Sequence, residues 1–222
     1  MKESPLRLVI LFHVGPVPIT KVVVSTWALM AALALASWIM TRAFRVEASN
    51  WQTVVETIVF GIEEQVRAIL GRDARPFLPL LGTLFIFLVV ANLSAVVPGL
   101  TAPTASFETP AALASIVFLS VHFYGIKFQG LGPYLKSYLK PNPALLPLNV
   151  LSEVTRSFSL AVRLFGNIMS DDFVIAIVLS LAGLLVPIPF MAFAILVGLV
   201  QAYIFSVLAA VYIGGGIGAI EK

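Results

Sequence analysis

Long uncharged stretches alternate with short polar connections along the chain. Residues 22–40 are nineteen consecutive uncharged positions. At about 1.5 Å per residue, a helix of this length is enough to cross a hydrocarbon core of about 30 Å. Similar stretches at 77–97 and 109–126 predict a second and a third span, and residues 1–21 are expected to form an exposed entry segment.

A different pattern lies between the first and second spans. In residues 50–70, apolar side chains recur at helical spacing and alternate with a strongly charged face that includes Glu56, Glu63 and Glu64. This pattern predicts an amphipathic helix on the membrane surface. A helix of a small extramembrane domain is the alternative.

The last two apolar stretches are too long for upright spans. Residues 148–182 would form a helix of about 52 Å and residues 190–220 one of about 46 Å, both well beyond the hydrocarbon thickness. We expect a long, strongly tilted hairpin with its turn around Pro187 and Pro189. The glycines and prolines of residues 129–147 predict a loop before it.

Composition supports a membrane protein. The chain is 59% hydrophobic and 11% charged, and its mean hydropathy is +1.01. We therefore expect an all-α integral membrane protein that forms a single membrane domain, with about five membrane-embedded helices and one amphipathic surface helix. The absence of cysteine and the wide separation of His13 and His122 argue against a metal centre. The small net charge of +3 argues against nucleic acid.

Basic residues in two connections predict the orientation. The positive-inside rule places both connections in the cytoplasm, so residues 99–108 and the N-terminus face outward and the C-terminus faces the cytoplasm. The basic residues concerned are Arg42, Arg45, Arg67, Arg72, Arg75, Lys127, Lys136 and Lys140.

Charges within residues 152–172 should sit at membrane depth. An ionisable group there costs about 2.5–3.5 kcal/mol on insertion scales and usually faces protein or a water-filled cavity. Arg163 is the principal candidate, because a guanidinium stays charged even when buried. Arg156 lies on nearly the same face, where it either extends that role or meets lipid headgroups or Glu153. We expect Asp171 to be solvated at a helix end.

Helical geometry groups further positions with Arg163. Ser159, Gly166, Asn167 and Ser170 share its side of the helix and predict a small, polar stripe that another molecule can approach closely. Asp172, nine residues after Arg163, should lie on the opposite face and about 13.5 Å along the axis, which suits an access pathway.

Polar residues of the last helix form a second stripe. Gln201, Phe205, Leu208 and Tyr212 are spaced four, three and four residues apart. For Gln201 and Tyr212, a packing role remains the alternative to a functional one.

Several segments together resemble a known family. Residues 159–167 read SLAVRLFGN, residues 201–205 read QAYIF, and residues 211–212 read VY. With residues 13–16, 92–98, 103–109 and 125–127, they resemble subunit a of bacterial F-type ATP synthases in the same order along the chain.

The resemblance implies a stator subunit in the bacterial plasma membrane. Such a subunit contacts a ring of c subunits and a peripheral stalk, subunit b or its equivalent, and provides two offset half-channels for H+ or Na+. It needs no cofactor. Arg163 would face the carboxylates of the ring, with Gln201 nearby and Asp172 in the outward half-channel. Asn167, Ser159, Tyr212 and Glu108 complete the expected ion-translocation residues.

The chain departs from this family at positions of the ion pathways. Asn149 stands where an acid is common, Ser106 and Glu108 where Asp and Asn are common, and Ala194 where a titratable residue is common. Glu108 either replaces the lost outward acid or caps the third span.

Other functional classes have weaker support. A secondary ion transporter should show internal repeats, and no second copy of the arginine motif occurs. The chain lacks a GxxxxGK[ST] motif, so we expect no ATP hydrolysis by this chain alone. A non-conducting assembly subunit remains the main alternative, and it predicts that the charge of Arg163 is dispensable.

Overall fold

The computed structural model describes residues 10–14, 17–42, 50–96, 102–139, 146–183 and 186–218. Strands β1 (Ile10–Val14) and β2 (Val17–Thr20) form a short antiparallel hairpin that pairs Val14 with Val17. The helices are α1 (Lys21–Arg42), α2 (Asn50–Leu70), α3 (Leu78–Leu93), α4 (Glu108–Gln129), α5 (Leu131–Leu139), α6 (Leu146–Ala182) and α7 (Pro187–Gly216).

Four of these helices, α1, α4, α6 and α7, are long and apolar enough to cross a membrane, and α3 is a shorter apolar helix. A helix satisfies its backbone hydrogen bonds within itself, which is why such stretches form helices in lipid. The predicted all-α membrane fold is confirmed, with the N-terminal hairpin as a small addition. The surface position of α2 stays a prediction.

The expected loop at residues 129–147 contains a short helix, α5. Gly130 has φ 84 and ends α4 in a left-handed conformation. Pro133 then lies in the first turn of α5, where its missing N–H breaks no helical hydrogen bond. The glycines and prolines of this segment therefore separate α4 from α5, and they do not prevent α5 from forming.

Contacts divide the chain into two compact units. Unit 1 contains residues 1–47, 86–109 and 164–202, and unit 2 contains residues 48–85, 110–163 and 203–222. In unit 1, Asn92 Nδ2 donates to Gly198 O at 2.8 Å, and Thr104 Oγ1 donates to Asn92 Oδ1 at 3.0 Å. These buried bonds join α3, the turn at Pro103–Ala105 and α7.

Close backbone approach shapes unit 2. A Cβ on Gly125 of α4 would lie 2.8 Å from Tyr134 Cδ2 and 3.0 Å from Gly216 O. Tyr134, 4% exposed, thereby packs closely against α4. Gln129 Nε2 donates to Gly216 O at 3.0 Å and fixes α4 to the end of α7.

We expect Gly125→Ala to destabilise the protein by about 1–3 kcal/mol, because the added methyl overlaps a buried ring and a carbonyl. The matched control is Gly82→Ala in α3, where a Cβ meets nothing within 4 Å and helix propensity gains up to about 1 kcal/mol. Thermal unfolding of the two variants in detergent measures the difference, and equal midpoints would contradict this packing.

Candidate functional site

Arg163 lies on the exposed face of α6. The buried stripe of this helix consists of Leu160, Ala161, Leu164 and Ile168. Arg163 points away from that stripe, and within the described residues the only ion pair is Arg67–Glu63 at 2.9 Å. On a helix of membrane length, an exposed and unpaired guanidinium needs a counter-charge or water from outside the chain.

The predicted small stripe lies beside it. Ser159, Gly166 and Ser170 are all exposed, and a Cβ on Gly166 would meet nothing within 4 Å. Side chains this small leave the α6 backbone open to close approach by another molecule.

Asn167, one helical turn after Arg163, contacts α7. Its Nδ2 donates to Gln201 Oε1 at 2.8 Å. Gln201 is only 2% exposed, and its Nε2 has no partner within the described residues. Counting residues from the α6–α7 turn does not reveal this pairing.

One of the two aspartates, Asp171, differs from the expectation, whereas the role of Asp172 stays a prediction. Asp172 is half-buried, and Oδ2 of Asp171 is enclosed with no hydrogen-bond partner among the described residues. The prediction of a solvated helix end for Asp171 is wrong, because α6 continues unbroken to Ala182. The long uncharged stretch after Asp172 is the feature of the sequence that indicates a continuing helix at this point.

Glu108 begins α4. Its Oε2 accepts a hydrogen bond of 3.1 Å from Thr20 Oγ1, and Thr26 Oγ1 lies 3.4 Å from Thr109 Oγ1. A carboxylate in the first turn of a helix is favourable, which supports the capping alternative for Glu108. Its side chain is also exposed, so capping leaves it accessible.

Tyr212 lies beside Arg156 in unit 2, with the guanidinium carbon 6.0 Å from the ring centroid. The same unit contains a hydrogen-bonded chain that the sequence reasoning missed. Tyr138 donates to Glu153, and the hydroxyls of Tyr134 and Tyr138 are 2.8 Å apart. The signal for it is two tyrosines four residues apart, which share a face only once α5 is a helix.

The Asn167–Gln201 bond predicts energetic coupling. We expect Asn167→Ala and Gln201→Ala to show a coupling of about 0.5–1.5 kcal/mol in a double-mutant cycle, the usual net value of one such hydrogen bond. Unfolding in denaturant with the two single variants and the double variant measures it. Strictly additive effects would show that the bond contributes nothing.

Comparison with known proteins gives a consistent result. Residues 23–214 match the family model described as ATP synthase A chain. The chain is 58% identical to ATP synthase subunit a 2 of Bradyrhizobium sp. (strain BTAi1), over 100% of both proteins. It is 44% identical to ATP synthase subunit a 2 of Pelobacter propionicus, over 95% of this chain and 92% of that protein. It is 46% identical to ATP synthase subunit a of Albidiferax ferrireducens, over 96% of this chain and 93% of that protein.

Proposed function

The chain belongs to the ATP synthase A chain family, and from that premise we propose that it is the ion-conducting stator subunit of a rotary ATP synthase. In this proposal, two offset half-channels bring H+ or Na+ to and from a ring of c subunits. Arg163 faces that ring, and a peripheral stalk, subunit b or its equivalent, holds the chain against rotation.

The guanidinium of Arg163, which is exposed and has no ion-pair partner among the residues that the structure describes, carries this proposal. Its permanent charge favours the ionised form of a rotor carboxyl that arrives beside it, so the carboxyl releases its ion. A carboxylate without a partner is very costly in lipid. The rotor carboxyl must therefore reload from the other half-channel before it moves on.

The surroundings of Arg163 suit this role. Ser159, Gly166 and Ser170 let the ring pass closely, and the Asn167–Gln201 pair provides polar contacts one turn away. The same fixed charge repels cations that would otherwise leak between the half-channels. We also assign Tyr212, which lies beside Arg156, to the residues of the ion pathway.

Orientation follows from the loop charges. We place the chain in the bacterial plasma membrane with its N-terminus outside and its C-terminus in the cytoplasm, where Lys and Arg are concentrated. Asp172 and Glu108 then line the outward half-channel. ATP chemistry resides in partner subunits, in keeping with the missing phosphate-binding motif.

We expect Arg163→Ala to abolish ATP-driven pumping and ion-driven synthesis while the complex still assembles. Removal of a cation from membrane depth relieves a cost to folding but removes the attraction that strips ions from the ring. Arg163→Lys should also fail, because lysine lacks the planar five-donor fork and loses its proton more readily when buried. Pumping in reconstituted vesicles measures both variants.

The control for this experiment is Arg67→Ala, which removes an exposed arginine whose ion pair with Glu63 lies on the surface of α2. It should pump at a near-normal rate. Coupled pumping by an assembled Arg163→Ala complex would refute the mechanism and favour the non-conducting assembly role.

Water access provides a separate test. Cysteines that replace Asp172 and Glu108 should react with a hydrophilic thiol reagent added from the outside, because reaction requires the solvated thiolate. Ile177→Cys is the control, since Ile177 is an exposed apolar residue of the same helix and should face lipid. Complete protection of both test cysteines in the assembled complex would refute the outward assignment.

A further inference from the structure

A hydrogen bond between distant parts of the chain joins the start of α1 to the start of α4. Thr20 Oγ1 donates to Glu108 Oε2 at 3.1 Å, although the two residues are 88 positions apart in the sequence. Both residues belong to unit 1. The two helices therefore begin on the same side of the membrane, in agreement with the outward placement that the loop charges predict for both segments.

Thr20 is held in place by the backbone on both sides of it. It is the last residue of β2 and pairs with Ile10 of β1. Helix α1 begins directly after it, and Val23 N donates to Thr20 Oγ1 at 3.4 Å, which is the usual contact of a threonine that caps a helix N-terminus. Thr20 is also only 3% exposed. Its hydroxyl therefore has a fixed position.

The direction of the bond to Glu108 follows from the groups involved. A threonine hydroxyl has one proton to donate, a backbone N–H can only donate, and an ionised carboxylate can only accept. Thr20 therefore accepts from Val23 N and gives its single proton to Glu108. Among the residues of unit 1 that the structure describes, no lysine or arginine forms an ion pair with Glu108, whose side chain is exposed. The carboxylate is thus held in place without being neutralised, and it can attract a cation.

A neighbouring contact already attaches α4 to α1. Thr26 Oγ1 donates to Val22 O at 2.8 Å, so Thr26 accepts and Thr109 donates in the contact of 3.4 Å between their hydroxyls. Thr109 is buried, at 8% exposure. Since this contact joins the same two helices one residue after Glu108, the bond from Thr20 has a separate effect, which is to fix the position of the carboxylate.

We propose that Thr20 is a positioning residue that holds the Glu108 carboxylate at the outer opening of the outward half-channel, with the N-terminal hairpin as its support. This inference rests on the proposed function. A fixed negative charge at the opening raises the local concentration of cations, whether hydronium or Na+. Ser106 Oγ, two residues before Glu108, is buried without a partner among the described residues, and a water at this opening would satisfy it.

The test measures ion-driven ATP synthesis by the whole complex in reconstituted vesicles. Thr20→Val keeps the β-branched shape but removes the hydroxyl, so synthesis should fall about fivefold, within the range for the loss of one hydrogen bond. Thr20→Ser retains a hydroxyl and should restore most of the rate. The matched control is Thr109→Val, which removes the neighbouring contact between hydroxyls and should leave synthesis near normal. An equal loss in Thr109→Val would show that attachment of α4 is what matters and would overturn the positioning role.

Variants of Glu108 separate positioning from a purely structural effect. In a Glu108→Ala background, Thr20→Val should cause no further loss, because Thr20 acts through a carboxylate that is already absent. A full fivefold loss in that background would overturn the inference. Glu108→Asp keeps the charge and shortens the side chain by one methylene, so it should also lower synthesis. A normal rate in an assembled Glu108→Asp complex would show that the position of the carboxylate is unimportant.

Failure of this inference and failure of the proposed function give different results. Normal synthesis by an assembled Thr20→Val complex, together with an inactive Arg163→Ala complex, overturns the role of Thr20 and leaves the proposed function intact. An active Arg163→Ala complex overturns both. If Thr20→Val does not assemble, Glu108→Asp decides, because an acid in the first turn of α4 remains favourable for the helix and only the reach of the carboxylate changes.

Discussion

The structure depends on one electrostatic constraint, a guanidinium on the open face of a membrane-length helix. Arg163 cannot lose its charge, and no acid among the described residues pairs with it. A charge in that position is tolerable only if water or an oppositely charged partner reaches it. The small side chains beside it, Ser159 and Gly166, make such a partner's approach possible. Charge and shape on α6 therefore both support the proposed acidic partner outside the chain.

Buried polar groups divide into two kinds. Asn92 and Thr104 bond to each other and to the α7 backbone, so they stabilise unit 1 without needing solvent. In contrast, Gln201 Nε2 and Asp171 Oδ2 are buried and have no partner among the described residues. A buried polar atom without a hydrogen-bond partner lowers the stability of the fold by about 1–3 kcal/mol, and a bridging water removes this cost. Water along α6 beyond Arg163 is the simplest means of satisfying both atoms, in keeping with the ion pathway proposed there.

The sequence predicted the membrane helices well because each depends on a local property, the length of an uncharged stretch. It failed where tertiary contacts decide. Helix α5 was missed because glycine and proline, here Gly130 and Pro133, usually interrupt helices. In the structure Gly130 ends α4 and Pro133 lies in the first turn of α5, so both residues are compatible with two successive helices. The Asn167–Gln201 pairing depends on how α6 and α7 pack, which residue counting from the turn does not give. The motif around Arg163 made this residue the principal candidate, but only the structure shows that its face of α6 is exposed.

Helix α6 also bears on the offset of the two proposed half-channels. Asp172 follows Arg163 by nine residues, which places the acid about 13.5 Å further along the helix axis. In the proposed mechanism, an ion that enters from either side approaches the same fixed cation, which opposes direct passage. The favourable route past Arg163 in that mechanism is on a rotor carboxyl, loaded on one side and unloaded on the other. Under the proposal, coupling follows from one permanent charge placed between the two half-channels.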